Sequence, residues 1–174
     1  MPSRHNGFTL IEVLITSAII SIMAAVVIVS LGGARSERQV KNAAILLSTA
    51  LRDLQNNALT GKNIGADIPC DFRFGGVAVG GNSVAFQYAQ RVGGSCANNP
   101  APQALRTVTL TDGVTFGVAT AGGRFTVPWG SVLDSAGADL AATLVYQVKK
   151  DVYTYSVCVY PGGRIENVSG NACP

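Results

Sequence analysis

One carboxylate sits where chemistry gives it no reason to sit alone. Glu12 is the single charge in an apolar run from Phe8 to Leu31. That run holds about 24 residues, roughly 36 Å as a helix, enough to cross the ~30 Å hydrocarbon core of a bilayer. A carboxylate on a lipid-facing helix costs about 3 kcal/mol or more, so its expected partner is a positive charge at similar depth. The other groups that could do chemistry are few. The only histidine, His5, precedes Gly7 in a short polar leader, so past residue 7 neither Ser-His-Asp nor Cys-His catalysis can be assembled. A serine paired with Lys149 or Lys150 is formally open, but both lysines fall at an expected hairpin turn, where a solvated charge is the ordinary role. Gly75-Gly76 and Gly80-Gly81 do not open a helix after a strand and so make no phosphate loop. No catalytic residue is expected, and the chain does not read as an enzyme.

Four cysteines, Cys70, Cys96, Cys158 and Cys173, all lie beyond the apolar run. They contain no Cys-x-x-Cys pair and no nearby histidine, which disfavours zinc. An even count in an exported domain points to two disulfides with three connectivities open; the pairing that closes two local loops, Cys70–Cys96 with Cys158–Cys173, is favoured. Asp134 and Asp139 flank a loop that offers too few acidic ligands for Ca²⁺. No metal and no cofactor are expected.

The elements that must position these groups follow from periodicity. Val40, Ala44, Leu47, Leu51, Leu54 and Ala58 advance by steps of four and three, one apolar stripe on an amphipathic helix that Gly61 can cap. Gly32-Gly33 marks a candidate joint between the membrane half and this packing half. Beyond Gly61 the pattern alternates. Strands are expected over 72–79, 83–90, 105–110, 114–119, 124–129, 143–150, 153–160 and 164–168. Gly80-Gly81-Asn82, Asp112-Gly113, Gly122-Gly123, Lys150-Asp151 and Pro161-Gly162-Gly163 read as tight turns of antiparallel hairpins. Residues 134–142 read as a loop or a short helix. In the strand from Tyr153, Cys158 falls on the more polar face. The expected fold class is therefore α+β, a long N-terminal helix packed on an antiparallel β-sheet head. Its divisions are a leader, 1–7; a transmembrane helix, 8–31; the amphipathic helix, 32–61; and a β-rich head, 62–174.

Composition agrees. Charged residues make up only 13% of the chain and there are 20 glycines, which suits an extracytoplasmic β-rich domain better than a cytosolic enzyme. The net charge of +3 is too small to argue for nucleic acid alone. Arg35, Arg38 and Lys41 after the run outnumber Arg4 before it, so the positive-inside rule alone would place the head in the cytoplasm; the cysteines argue the other way.

Gly7-Phe8-Thr9-Leu10-Ile11-Glu12, followed by apolar sequence, resembles the class III signal of type IV pilins and type II secretion pseudopilins. The resemblance implies a pilin-like fold and cleavage after Gly7 by a prepilin peptidase. It further implies N-methylation of Phe8, and pairing of Glu12 with the amino terminus of a neighbouring subunit during filament assembly. A small residue at Gly7 suits a bond that must lie extended in a protease groove. The family's helix often carries a glycine and a proline farther along; here Ser21 and Val29 stand instead. The segment Leu51 to Ala58 and the late Gly162-Gly163-Arg164-Ile165 are similar to the FimT/GspH group of minor pilins and pseudopilins.

The expected partners are thus other pilin subunits, the peptidase, inner-membrane assembly machinery, and membrane lipid before assembly. The expected location is a single-pass membrane precursor with its head outside the cytoplasm, then an extracytoplasmic filament. The alternative is a FimT-like minor pilin that binds DNA during uptake through Arg124, Lys149, Lys150 and Arg164. Against it, Arg164 is followed by Glu166, and affinity for phosphates scales with the cations engaged.

Overall fold

The structure, a computed structural model, describes residues 9–96 and 100–174, with the backbone alone for 26–32. Two compact units are distinguished, Met1–Ser36 and Glu37–Pro174. Helix α1 runs over Leu10–Leu59. Helix continues through Gly32 and Gly33, where the sequence marks a candidate joint. Glycine in a helix interior costs about 1 kcal/mol, which the long helical runs on either side absorb. At the other end the cap expected at Gly61 is present: its φ is 61°, its N–H donates to Ala58 O, and Lys62 N–H donates to Asn57 O. These are the two bonds of a Schellman ending.

Nine strands follow among the described residues: β1 (Pro69–Phe74), β2 (Ser83–Gln90), β3 (Pro102–Thr109), β4 (Thr115–Phe116), β5 (Gly123–Thr126), β6 (Val132–Asp134), β7 (Leu144–Lys150), β8 (Tyr153–Val159) and β9 (Ile165–Ser169). They form two antiparallel sheets, ordered β3-β2-β1-β5-β6 and β4-β7-β8-β9. The fold is α+β, a helix packed on antiparallel sheet.

The whole helical stripe, Val40, Ala44, Leu47, Leu51, Leu54 and Ala58, is buried in one core with Phe72, Phe74, Phe86 and Phe125 of the first sheet and Phe116 and Tyr146 of the second. Tyr146 joins the sheets: its ring lies 6.3 Å from Phe74 and 6.4 Å from Phe116. Its hydroxyl donates to Gly75 O and Ala121 O, so burial leaves no lone donor.

Several sequence expectations are corrected. The first strand ends at Phe74 rather than residue 79, because at Gly76 the chain passes so close to Thr120 O that a Cβ would lie 2.8 Å from it. Val77 and Thr120 then form an isolated bridge. Asp112-Gly113 and Gly122-Gly123 do not close hairpins; they carry the chain from β3 in the first sheet to β4 in the second and back to β5. Buried Phe116 explains that excursion, since β4 has to reach β7 beside Tyr146. The strand expected over 124–129 breaks at Thr126. A turn through Pro128 and Gly130 follows, where Gly130 N–H donates to Thr126 O, and the short β6 comes next. Residues 135–142 form a loop with no helix. Lys150-Asp151 and Pro161–Gly163 close the β7–β8 and β8–β9 hairpins as expected.

The two segments singled out around Leu51 and Gly163 meet. Arg52 Nη2 donates to Ile165 O at 2.7 Å and Gln55 Nε2 to Gly163 O at 2.8 Å. Asn167 Nδ2 adds a bond to Ser48 Oγ. One helix face thus holds the β8–β9 hairpin by side chains that satisfy backbone carbonyls.

Candidate functional site

The site is built from the start of α1. Gly7 and Phe8, the expected cleavage and methylation positions, lie outside the described residues. Thr9 is the helix cap: its carbonyl accepts from Glu12 N at 3.1 Å and Val13 N at 3.3 Å, and its Oγ1 accepts from Glu12 N at 3.3 Å. This places Glu12 as the third helical residue, where a negative side chain is favoured by the amide dipoles of the first turn. The sequence reading passed over Thr9; the spacing Thr-x-x-Glu before an apolar run is the signal that finds it.

Glu12 is solvent-exposed, and no described residue pairs with its carboxylate. Around it Leu10, Ile11, Val13, Leu14 and Ile15 are all more than half exposed. The hydroxyls in this stretch turn inward on their own helix. Thr16 Oγ1 donates to Glu12 O, Ser17 Oγ to Leu14 O and Ser21 Oγ to Ser17 O. Polar atoms bonded in this way demand nothing of an apolar surrounding, which leaves Glu12 as the one group that does.

Among the described residues no helix is long and apolar enough to cross a membrane. The described side chains of the apolar run cover 9–25, about 26 Å of helix, short of the roughly 20 residues a span requires. Phe8 and the side chains of 26–31, which complete the run in the sequence, lie outside the description.

The other residues named from sequence are scattered. Cys70 is joined to Cys96 and Cys158 to Cys173. Asp134 Oδ1 accepts from Gly137 N at 2.7 Å and Ala138 N at 2.9 Å. Those amides hold its carboxyl below the usual range and commit it to its own loop, while Asp139 lies in the isolated bridge with Leu133. Among the described residues no three His, Cys, Asp or Glu side chains cluster as metal ligands.

The four candidate DNA cations do not converge. Arg124 is buried and bonds Asp71 at 3.2 Å, beside Arg73, which grips the same carboxylate at 2.7 Å. Lys150 Nζ is held by Gln39 Oε1 and Asp112 O. Lys149 is exposed next to it, at the β7–β8 hairpin. Arg164 stacks on Tyr160 at 4.1 Å and pairs with Glu166 at 3.0 Å in the β8–β9 hairpin, at the opposite end of β8. The seven residues of β8 separate those two ends by roughly 20 Å.

Comparison with known proteins bears on the start of the helix alone. The prokaryotic N-terminal methylation motif matches residues 2–28. No curated protein and no solved structure matches the chain. The motif spans Gly7, Phe8 and Glu12, and it supports a type IV pilin-like precursor.

Proposed function

We propose that this chain is a structural subunit of a type IV pilus or type II secretion-like filament, a minor pilin or pseudopilin of the FimT/GspH type. The observation that carries the reading is the methylation motif over residues 2–28, with Glu12 exposed in the first turn of a helix whose described side chains over 10–25 are themselves exposed. In this reading a prepilin peptidase cuts between Gly7 and Phe8, Phe8 is N-methylated, and the helix holds the precursor in the membrane with its head outside the cytoplasm. Assembly then replaces lipid around the helix with helices of other subunits. Glu12 sets their register by pairing with a neighbour's amino terminus, a charge pair worth far more in hydrocarbon than in water. The absence of histidine beyond residue 7 supports a structural rather than an enzymatic role.

Two experiments test it. Mass spectrometry of the mature protein, from cells carrying a prepilin peptidase, is expected to find N-methylated Phe8; an intact Met1, or cleavage beyond Leu31, overturns the reading. Gly7→Leu is expected to block that processing. Glu12→Gln is expected to leave processing and membrane insertion unchanged and to cut incorporation into filaments at least tenfold, measured on sheared filaments against membrane-fraction protein. Normal incorporation of Glu12→Gln would remove the role given to that carboxylate.

A further inference from the structure

Strand β3 is an outer strand of the first sheet, with β2 on one side only. Its hydrogen-bonding phase can be fixed from one bond. Leu110 N donates to Asn82 O, in register with the pairs Thr109–Ser83 and Val108–Val84. Antiparallel partners alternate between bonded and non-bonded pairs, so Val108 and Arg106 spend their backbone groups on β2 while Thr107 and Thr109 direct theirs outward. Among the described residues nothing accepts or donates to those four outward groups.

The same edge borders a depression in the surface. A groove of about 530 Å³ runs between it and α1, lined by Leu46, Ala50, Asp53, Arg106, Thr107 and Thr109. Leu46 is 48% exposed there, and Ile45 beside it 46%, although the helix turns a fully buried stripe toward the core. The charges of the groove cancel: Arg106 Nη2 pairs with Asp53 Oδ2 at 2.8 Å, so a like surface meets no net repulsion.

We propose that this edge binds a second copy of the chain, the two β3 strands pairing antiparallel about a twofold axis at Val108. The geometry is self-complementary. Thr107 of one copy faces Thr109 of the other, and each such pair exchanges two N–H···O bonds, four in all. The first sheets become one continuous sheet of ten strands. The helices then lie on the same face of it, and Leu46 of each copy is covered at the seam. A twofold contact needs one patch twice, and here the backbone edge, the exposed leucine and the balanced charge coincide in one patch. The edge is short, because Pro102 cannot donate at its start and the register shifts between Phe86 and Gln87, and a twofold contact uses it up in both copies, so the assembly closes at a dimer. This contact is independent of Glu12 and of the apolar run.

The test is sedimentation equilibrium of the full chain in detergent micelles, with detergent density matched. Wild type is expected to show a concentration-dependent dimer. Leu46→Lys places like charges across the seam from an exposed helix position. Thr107→Pro removes an outward N–H without touching a bond to β2. Each is expected to raise the dimer dissociation constant about tenfold or more, with circular dichroism unchanged for Leu46→Lys. A dimer that Glu12→Gln also leaves intact separates this contact from helix-mediated assembly. A wild type that stays monomeric, or a dimer that Leu46→Lys leaves unweakened, overturns the proposal.

Discussion

At the scale of single residues two charges, Arg124 and Glu12, stand in contrast. Arg124, read from sequence as a surface cation, is buried against Asp71, a partner 53 residues away that no local pattern announces. Glu12 is the reverse: its isolation was plain in the sequence because nothing else in the run is charged. Tyrosines give this scale its pH dependence. Burial pushes the Tyr146 phenol well above its usual range, and the hydrogen bond to Asp67 raises Tyr88. A folded-state pKa above the unfolded value of about 10 leaves stability intact below pH 10 and removes it as pH rises further. The urea midpoint should therefore be level from pH 8 to 9.5 and fall by pH 11, with the tyrosinate absorbance of Tyr146 appearing only on unfolding. Tyr146→Phe should flatten that fall and cost about 1 kcal/mol at neutral pH through the lost bonds to Gly75 and Ala121. A midpoint unchanged to pH 11 in the wild type would contradict the assignment.

Among elements, period was readable and partnership was not. The stripe from Val40 to Ala58 is legible because a helix repeats its buried face every three or four residues, and all six positions are buried. Strands β2, β7 and β8 are legible because alternation persists over seven or eight residues. Strand β6 was missed because three residues are too few to show a period. Alternation also says which face a side chain takes, never which strand lies beside it, so the passage of the chain between sheets at Asp112-Gly113 could not be foreseen. The docking of the β8–β9 hairpin on α1 yields a paired test. Gly163 has φ 82°, and a Cβ there would lie 2.8 Å from Gln55 Nε2, whereas a Cβ on Gly162 meets nothing within 4 Å. Gly163→Ala should cost about 1–2 kcal/mol in chemical denaturation. Gly162→Ala should stay within about 0.5 kcal/mol. Equal effects would mean that the hairpin is not held as described.

For the whole molecule the question is which residues fold it. Every fully buried apolar side chain described lies at Val40 or later, and the described side chains of 9–25 are exposed. Folding free energy scales with apolar area removed from water, so the head draws its stability from Glu37–Pro174, and the apolar run is available to other surfaces. The sequence carries a start signal at that boundary: Ser36-Glu37-Arg38-Gln39 has the spacing of a capping box, and Glu37 puts a negative charge in what would be a first turn. A chain beginning at Arg35 therefore has the means to start its helix afresh. We expect residues 35–174 to be soluble without detergent and to retain the Cys70–Cys96 and Cys158–Cys173 bonds by non-reducing peptide mapping. They should unfold within about 4 °C of the full chain, the shift that ~1 kcal/mol produces at this size. A fragment that needs detergent or melts far lower would mean that residues before Arg35 stabilise the head, and the apolar run would then have a structural duty at home as well as a role in assembly.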